Sequence, residues 1–419
     1  MRAIMLLLPA AFLATVARAH EAEGDTVRLD ELIEEALDNS PELEAAHQSM
    51  AMAGARAEEE GTLPSPELIV MREGMPAFRY NQAMFNRIEL MQMIPFPTKL
   101  AKSREIADIT AEHAHHDHME KVFDLLLRLK SAYAELWYLQ RSIGLNRENA
   151  RLIARLSASA RTRYASGEAG LQEALKWDIE AEKNSSDARS LRGRELAAKA
   201  MIMAILDRPD SDTLGTAILS DTARALIPLE TVLSRALEYR PMIQHDSLSV
   251  VENKAVLDQA KLEFIPDLRI GLQYMNGPLT GFNGWTVTAA VTLPFAPWSF
   301  RAHSAKVEES EAAVDRSAAL LASSRAMLGQ TIREHYYRAS EERERYVAYQ
   351  RRILPQAERS LEAALGEYQT GKIDFLMLLD SYRMQVDLSM ESLMARMEFE
   401  QDVARLEGDV GVRDLSHLH

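Results

Sequence analysis

Leu268-Arg269-Ile270-Gly271-Leu272-Gln273-Tyr274 and, after a short interval, Trp285-Thr286-Val287-Thr288-Ala289-Ala290-Val291-Thr292-Leu293 are the stretches on which the fold turns. Leu268, Ile270, Leu272 and Tyr274 alternate with Asp267, Arg269, Gly271 and Gln273. Beyond a Gly/Asn-rich loop at 276–284, Trp285, Val287, Ala289, Val291 and Leu293 alternate with Thr286, Thr288, Ala290 and Thr292. A period of two gives a strand one apolar and one polar face. Each run is about nine or ten residues, the span of a tilted transmembrane β-strand. The pattern predicts a hairpin with a lipid side and a watery side. Tyr274 and Trp285 at one end, and Phe295 and Trp298 at the other, stand where interfacial aromatics belong.

The hairpin has a counterpart two hundred residues upstream. Ala36-Leu37-Asp38-Asn39-Ser40-Pro41 matches Ala236-Leu237-Glu238-Tyr239-Arg240-Pro241, and Pro66-Glu67-Leu68 matches Pro266-Asp267-Leu268. Ile94-Pro95-Phe96 matches Leu293-Pro294-Phe295, and Tyr164-Ala165-Ser166-Gly167 matches Tyr368-Gln369-Thr370-Gly371. Four matches in one order at nearly one offset make the chain two copies of a unit. The first copy spans 20–208 and the second 229–410, with a linker at 209–228 and a tail at 411–419 whose His417-Leu418-His419 end reads as disordered. In the upstream hairpin (66–94) Leu68, Val70, Ile88 and Leu90 keep the alternation, but Gln92 falls on the apolar side.

Each copy reads as a short helix (29–39, 229–239) ended by a proline that opens a second helix, to about 62 or 263. The hairpin follows (66–94, 266–293), and then a long helix pair: 98–206, turning after 165, and 299–408, turning after 368. Sixty-odd helical residues reach about 100 Å, too long for a compact core. Leu125, Leu129, Ala132, Leu136, Leu139 and Ile143 step by four and three, a coiled-coil seam that needs a partner helix. Pro355, inside the second long stretch, predicts a kink. The fold class is therefore mainly α with a small β part: long antiparallel helical hairpins plus four membrane-spanning strands per chain. An open four-stranded sheet would leave backbone groups unpaired in lipid, so chains must share a barrel, and three of them supply twelve strands.

Composition agrees. Hydrophobic residues are 47%, aromatics 6%, and Gly and Pro sparse, as in long helices. A net charge of −15 excludes a basic nucleic-acid-binding stripe. Arg2, the apolar run Ile4–Val16 and Ala17-Arg18-Ala19 predict a signal peptide at 1–19, cleaved before His20. There are no cysteines, hence neither disulfides nor a lipid-bearing Cys. The sequence has no nucleophile triad, phosphate loop or His-Glu zinc motif, so no enzyme activity and no cofactor is expected.

On these residues the chain resembles the TolC-type outer-membrane efflux proteins over nearly its entire mature length. Met93-Ile94-Pro95-Phe96-Pro97-Thr98-Lys99-Leu100 and Gly366-Glu367-Tyr368-Gln369-Thr370-Gly371-Lys372-Ile373-Asp374 are most similar to the heavy-metal branch. The resemblance implies an outer-membrane homotrimer with a β-barrel above a periplasmic α-barrel. Its partners would be a periplasmic adaptor and an inner-membrane pump, proton-driven. It makes the two Tyr-x-x-Gly turns the periplasmic tips, with Tyr164, Gly167, Leu171, Tyr368, Gly371 and Ile373 as adaptor contacts. It also puts an acidic constriction just past the second tip, where Asp380 matches one acidic position and Met377 occupies the other. The cargo expected is heavy-metal cations; drugs, other small molecules or polypeptides are alternatives, and a periplasmic structural coiled-coil or adaptor protein is the rival of another class.

Two clusters could touch metal. His113, His115, His116 and His118, with Asp117, suit zinc, copper, nickel or cobalt, though a helix spreads them over several faces. Met71, Met75, Met84, Met91 and Met93 crowd the first hairpin; thioethers select Cu(I), yet methionine is also ordinary packing.

Overall fold

The computed structural model describes residues 26–74, 83–209, 212–220, 222–278 and 280–418, with side chains as far as Ser416. The expected signal peptide and Met75 lie outside the described residues. The first copy comprises β1 (Thr26–Val27), α1 (Leu29–Asn39), α2 (Pro41–Glu60), β2 (Glu67–Glu73), β3 (Phe85–Ile94), α3 (Pro97–Ala165) and α4 (Leu171–Ile205). The second comprises β4 (Thr216–Ala217), α5 (Leu229–Tyr239), α6 (Pro241–Leu262), β5 (Leu268–Gly277), β6 (Phe282–Val291), α7 (Pro297–Ala348), α8 (Leu354–Gln369) and α9 (Phe375–Val410). A π-helical turn, Tyr349–Ile353, joins α7 to α8.

Proline opens α2, α3, α6 and α7, where its missing N–H costs no intrahelical bond. The α1–α2 and α5–α6 corners are the same corner twice: Ser40 N–H donates to Ala36 O at 3.2 Å, and Arg240 N–H to Ala236 O at 3.0 Å. The copies differ inside the outgoing long helix, because Pro97 and Pro297 are 200 apart while Gly167 and Gly371 are 204 apart. The second copy has thus gained about one helical turn. The π turn lies in that stretch, with Leu354 N–H reaching back to Tyr349 O. Pro355 follows at once and falls in the first turn of α8. A wide turn gives its ring the room that an α-turn denies, so the predicted kink is a π-bulge within a continuing helix.

All six seam residues, Leu125 to Ile143, are buried. They centre one core with α1, α4 and Ala217 of β4; a second core joins α5, α7 and α9. The linker is more than a connection. Its β4 pairs in parallel with β1, and the Tyr133 hydroxyl stands between them, donating toward Val27 O or Ile218 O (both 2.9 Å) while accepting from Ile218 N–H (2.8 Å). Gln140 clamps the same segment through Gly215 O and Ala217 N–H. The expected tail is also tied down: Gly411 caps α9 at φ 78°, and Leu415 is buried with its N–H on Glu407.

The four long strands form one antiparallel sheet in the order β2-β3-β5-β6. The β5–β6 connection is tighter than its composition suggested, only 278–281. Register aligns Leu68, Leu90, Leu272 and Val287 across all four strands on one face. That face is open, with Leu68 at 68% and Val287 at 73% exposure, whereas Glu89 on the other is at 8%. On that second face the burial is local, around Glu89 and Gly271, while Glu67, Arg269 and Thr288 stay exposed. Gln92, paired with Ile270, folds its amide back onto Pro64 O (2.8 Å) and Met93 O (2.7 Å), which removes the break in the apolar pattern. Asp267 fastens sheet to helix and copy to copy, accepting from Phe96 N–H (3.0 Å) and Lys99 Nζ (2.9 Å). Among the described residues no helix is long and apolar enough to cross a membrane.

Gly411→Ala should lower the chemical-unfolding midpoint more than Gly371→Ala. Each places an L-residue in left-handed backbone at a cost of about 1–2 kcal/mol. Only at 411 would the new Cβ lie 2.8 Å from Tyr239 O and 3.0 Å from Pro241 Cδ. Equal shifts would mean that the corner yields freely.

Candidate functional site

At the far end from the sheet the two helical hairpins turn alike. Gly167 (φ 80°) and Gly371 (φ 69°) take the left-handed backbone that ends a helix without a Cβ penalty. Glu168 N–H returns to Arg163 O, and Lys372 N–H to Glu367 O, both at 2.9 Å. Asp374 then caps α9, accepting from Met377 N–H at 2.9 Å.

The two tyrosines of the matched turns part company. Tyr164 is exposed, as are Gly167, Leu171 and Gly371. Tyr368 is 6% exposed, its hydroxyl donating to Glu173 at 2.5 Å and its ring under the Arg163 guanidinium at 4.5 Å. Burial, and next the Glu173 carboxylate, push the phenol up to about 12. Its side chain pins one hairpin to the other, so the tip surface left for a contact is Tyr164, Leu171 and the two glycine turns. Ile373 is half-buried against the tip core.

That core is shared by both hairpins. Trp177 of α4 is fully buried, edge-on to Phe375 (5.7 Å) and Tyr382 (5.5 Å) of the other hairpin. One turn farther on, buried Glu180 accepts from Arg383 Nε at 2.9 Å. Tyr382 beside it is also pushed up to about 12, by burial and then by Glu180. Sequence reading missed Trp177, Glu173, Glu180 and Arg383. Trp177, one of only four tryptophans, was the single signal available. The three polar residues have no equivalent in the other copy to mark them.

Asp380 and Met377 lie one turn apart on α9, both exposed, opposite the buried Leu378, Leu379 and Tyr382. They border an open cleft of about 590 Å³ shared with Lys176, Ile179, Asp374 and Arg383. Asp380 has no ion-pair partner among the described residues, whereas Arg383 beside it is engaged by Glu180.

The histidines do not assemble into a metal centre. His113 is buried with Nε2 3.1 Å from Glu252 of α6, and its ring lies 4.2 Å from that of His245. Burial, then His245, hold it below the ordinary histidine range. His118 faces His47 of α2 at 6.3 Å, and His115 and His116 are 5.7 Å apart. Among the described residues no three His, Asp or Glu side chains are placed to hold one ion. The helical twist that spread these residues over several faces sends His113 to α6 and His118 to α2.

Tyr368→Phe should raise hydrogen exchange of the tip amides around 364–372 about five-fold, the equivalent of ~1 kcal/mol for a hydrogen bond of this kind. Amides around Leu129, in the core that α3 forms with α1 and α4, should be unaffected. Unchanged exchange at the tip would mean that the Glu173 contact does not hold the hairpins together.

The architecture has known relatives. The chain superimposes on the outer membrane channel CmeC of Campylobacter jejuni with a TM-score of 0.76, at 14% identity, over 91% of this chain and 85% of that one. VceC, an outer membrane protein of Vibrio cholerae, gives 0.76 at 17% identity over 92% and 96%. CusC gives 0.76 at 15% identity over 94% and 96%. No curated protein matches the sequence. Residues 232–412, the body of the second copy, match the sequence profile named outer membrane efflux protein. The first copy repeats that order of helices and strands, and the chain has the fold of these outer membrane channels.

Proposed function

We propose that this chain is the outer-membrane exit duct of an efflux system, a homotrimer that passively conducts cargo from periplasm to exterior. The observation that carries this reading is the four-stranded sheet, with an open apolar face, a polar opposite face and two edges, β2 and β6, that pair with no other strand among the described residues. Lipid accepts the first face, water the second, and only other copies can satisfy the edges. Three copies make twelve strands, within the range of closed membrane barrels. The helices then continue the tube into the periplasm, and the tips, through Tyr164, Gly167, Leu171 and Gly371, meet an adaptor that couples the duct to a proton-driven inner-membrane pump. A soluble periplasmic coiled-coil protein would have no use for an apolar face of this extent.

Asp380, exposed beside Met377 and without an ion-pair partner among the described residues, forms the constriction in this reading. A three-fold ring of carboxylates concentrates negative potential and favours cations. Heavy-metal cations are the favoured cargo, supported by the likeness of 93–100 and 366–374 to the metal branch and by the carboxylate ring.

In planar bilayers the purified protein should open cation-preferring channels, and Asp380→Ala should reduce that preference. Unaltered selectivity would remove Asp380 from the constriction, and recovery of the native protein in the soluble periplasm without detergent would end the duct reading. A deletion strain should become sensitive to one or more of copper, silver, zinc, cadmium and cobalt. Sensitivity confined to antibiotics and detergents would move the cargo to organic compounds.

A further inference from the structure

We propose that the seam between α3 and α6, which joins the first copy to the second, is a proton-sensitive joint: His113 and His245 hold it closed while neutral, and acid loosens it. The two helices run antiparallel, with polar contacts crossing between them at either end. Gln259 Nε2 donates to Ser103 Oγ (2.8 Å) toward the sheet, and Arg240 donates to Glu120 (2.9 Å) at the other end. Neither contact changes its charge near neutral pH. The histidines lie between them, their rings 4.2 Å apart across the seam. Histidine is the side chain whose charge does change in that range.

His113 is buried and already committed. Its Nε2 lies 3.1 Å from Glu252, whose other oxygen accepts from Thr110 Oγ1 at 3.2 Å. Facing a carboxylate, the neutral ring carries its proton on Nε2 and leaves Nδ1 a bare acceptor. Nδ1 is buried and has no hydrogen-bond partner among the described residues. A second proton would enter there as an N–H with nothing to receive it, and an unmet buried donor is costly. The charges around the ring divide. Glu252 of α6 and Asp117 of α3 favour a cation at His113, and His245 of α6 opposes it. His116 of α3 is itself held down by burial and then by His115, and it too is opposed by His245 and His113. From α2, His47 faces His118 instead. Half-buried His245 has Asp117 at 3.7 Å and Asp246 at 3.6 Å, so a charge on it would have partners, whereas a charge at His113 Nδ1 would have none. Burial first and His245 second outweigh the carboxylates at His113. Opening the seam gives that ring back to water, where it takes up a proton at the ordinary histidine value. The seam therefore keeps its full strength above that value and weakens as the pH falls below it.

The joint needs only the folded chain and stands apart from the duct reading. The test is hydrogen exchange on the purified full-length protein in detergent at about pH 7.5 and about pH 5.5, on either side of the histidine range. Rates are corrected for the intrinsic pH dependence of exchange. Protection of the amides in 110–118 and 243–254 should fall about five-fold or more at the lower pH, the factor expected of one unmet hydrogen-bonding group. The tip amides around 364–372 should keep theirs. His113→Gln retains a donor for Glu252 and cannot titrate, so its seam should be equally protected at both pH values. Should that variant not fold, His113→Phe removes the titration with a ring still in place. A wild-type seam equally protected at both pH values, or a loss in acid that the non-titrating variant retains, overturns the joint.

Discussion

A four-stranded antiparallel sheet has two edges, and here β2 and β6 each present a row of backbone groups with no strand partner among the described residues. In water such edges can be wetted; against lipid they cannot, because each unpaired group costs several kcal/mol with no solvent to offset it. The apolar face that runs from Leu68 to Val287 gives the sheet every reason to leave water, and the edges forbid it to do so alone. Most of the molecule is intelligible as a consequence of that conflict. In the proposed trimer a shared barrel would resolve it, and the helices entering from Pro97 and Pro297 would continue that barrel as a tube.

Duplication then imposes a near-symmetry that the tips break. Both hairpins reverse on a left-handed glycine, yet one turn offers its tyrosine to solvent and the other buries it on Glu173. The two hairpins of a chain are held by Trp177 packed against Phe375 and Tyr382 and by the Glu180–Arg383 pair. These contacts oppose any parting of one hairpin from the other, so in the proposed duct any widening at this end must loosen them. The extra turn in α7–α8, absorbed by the π-bulge at Tyr349–Ile353, is a second asymmetry, and it lies on the hairpin that carries Asp380.

At the equator the asymmetry is of another kind. The segment between the copies is short and polar, and reads as a connection. In the fold it supplies β4, which closes on β1 from the far end of the chain around the Tyr133 hydroxyl. Arg224 from the same segment reaches Glu407 (3.0 Å) and Asp414 (3.1 Å), and Lys130 meets Glu407 at 2.7 Å, so both copies converge on one partly buried charge network.

The sequence by itself determined the repeat, the helix corners at Pro41 and Pro241, the αL glycines at the tips and the two-faced strands. Each of these is a local pattern: a proline that cannot sit inside a helix, a glycine that alone tolerates positive φ, an alternation with period two. It also set the strand count, on which the proposed sharing of a barrel rests. Tertiary structure alone decided which tyrosine is buried, which glutamates hold the hairpins together, and that the histidines of α3 turn to Glu252, His245 and His47 rather than to one ion. Those choices depend on which neighbouring helix stands opposite each face. Residues from 71 to 203 positions apart meet there, and no local pattern in either segment records the meeting.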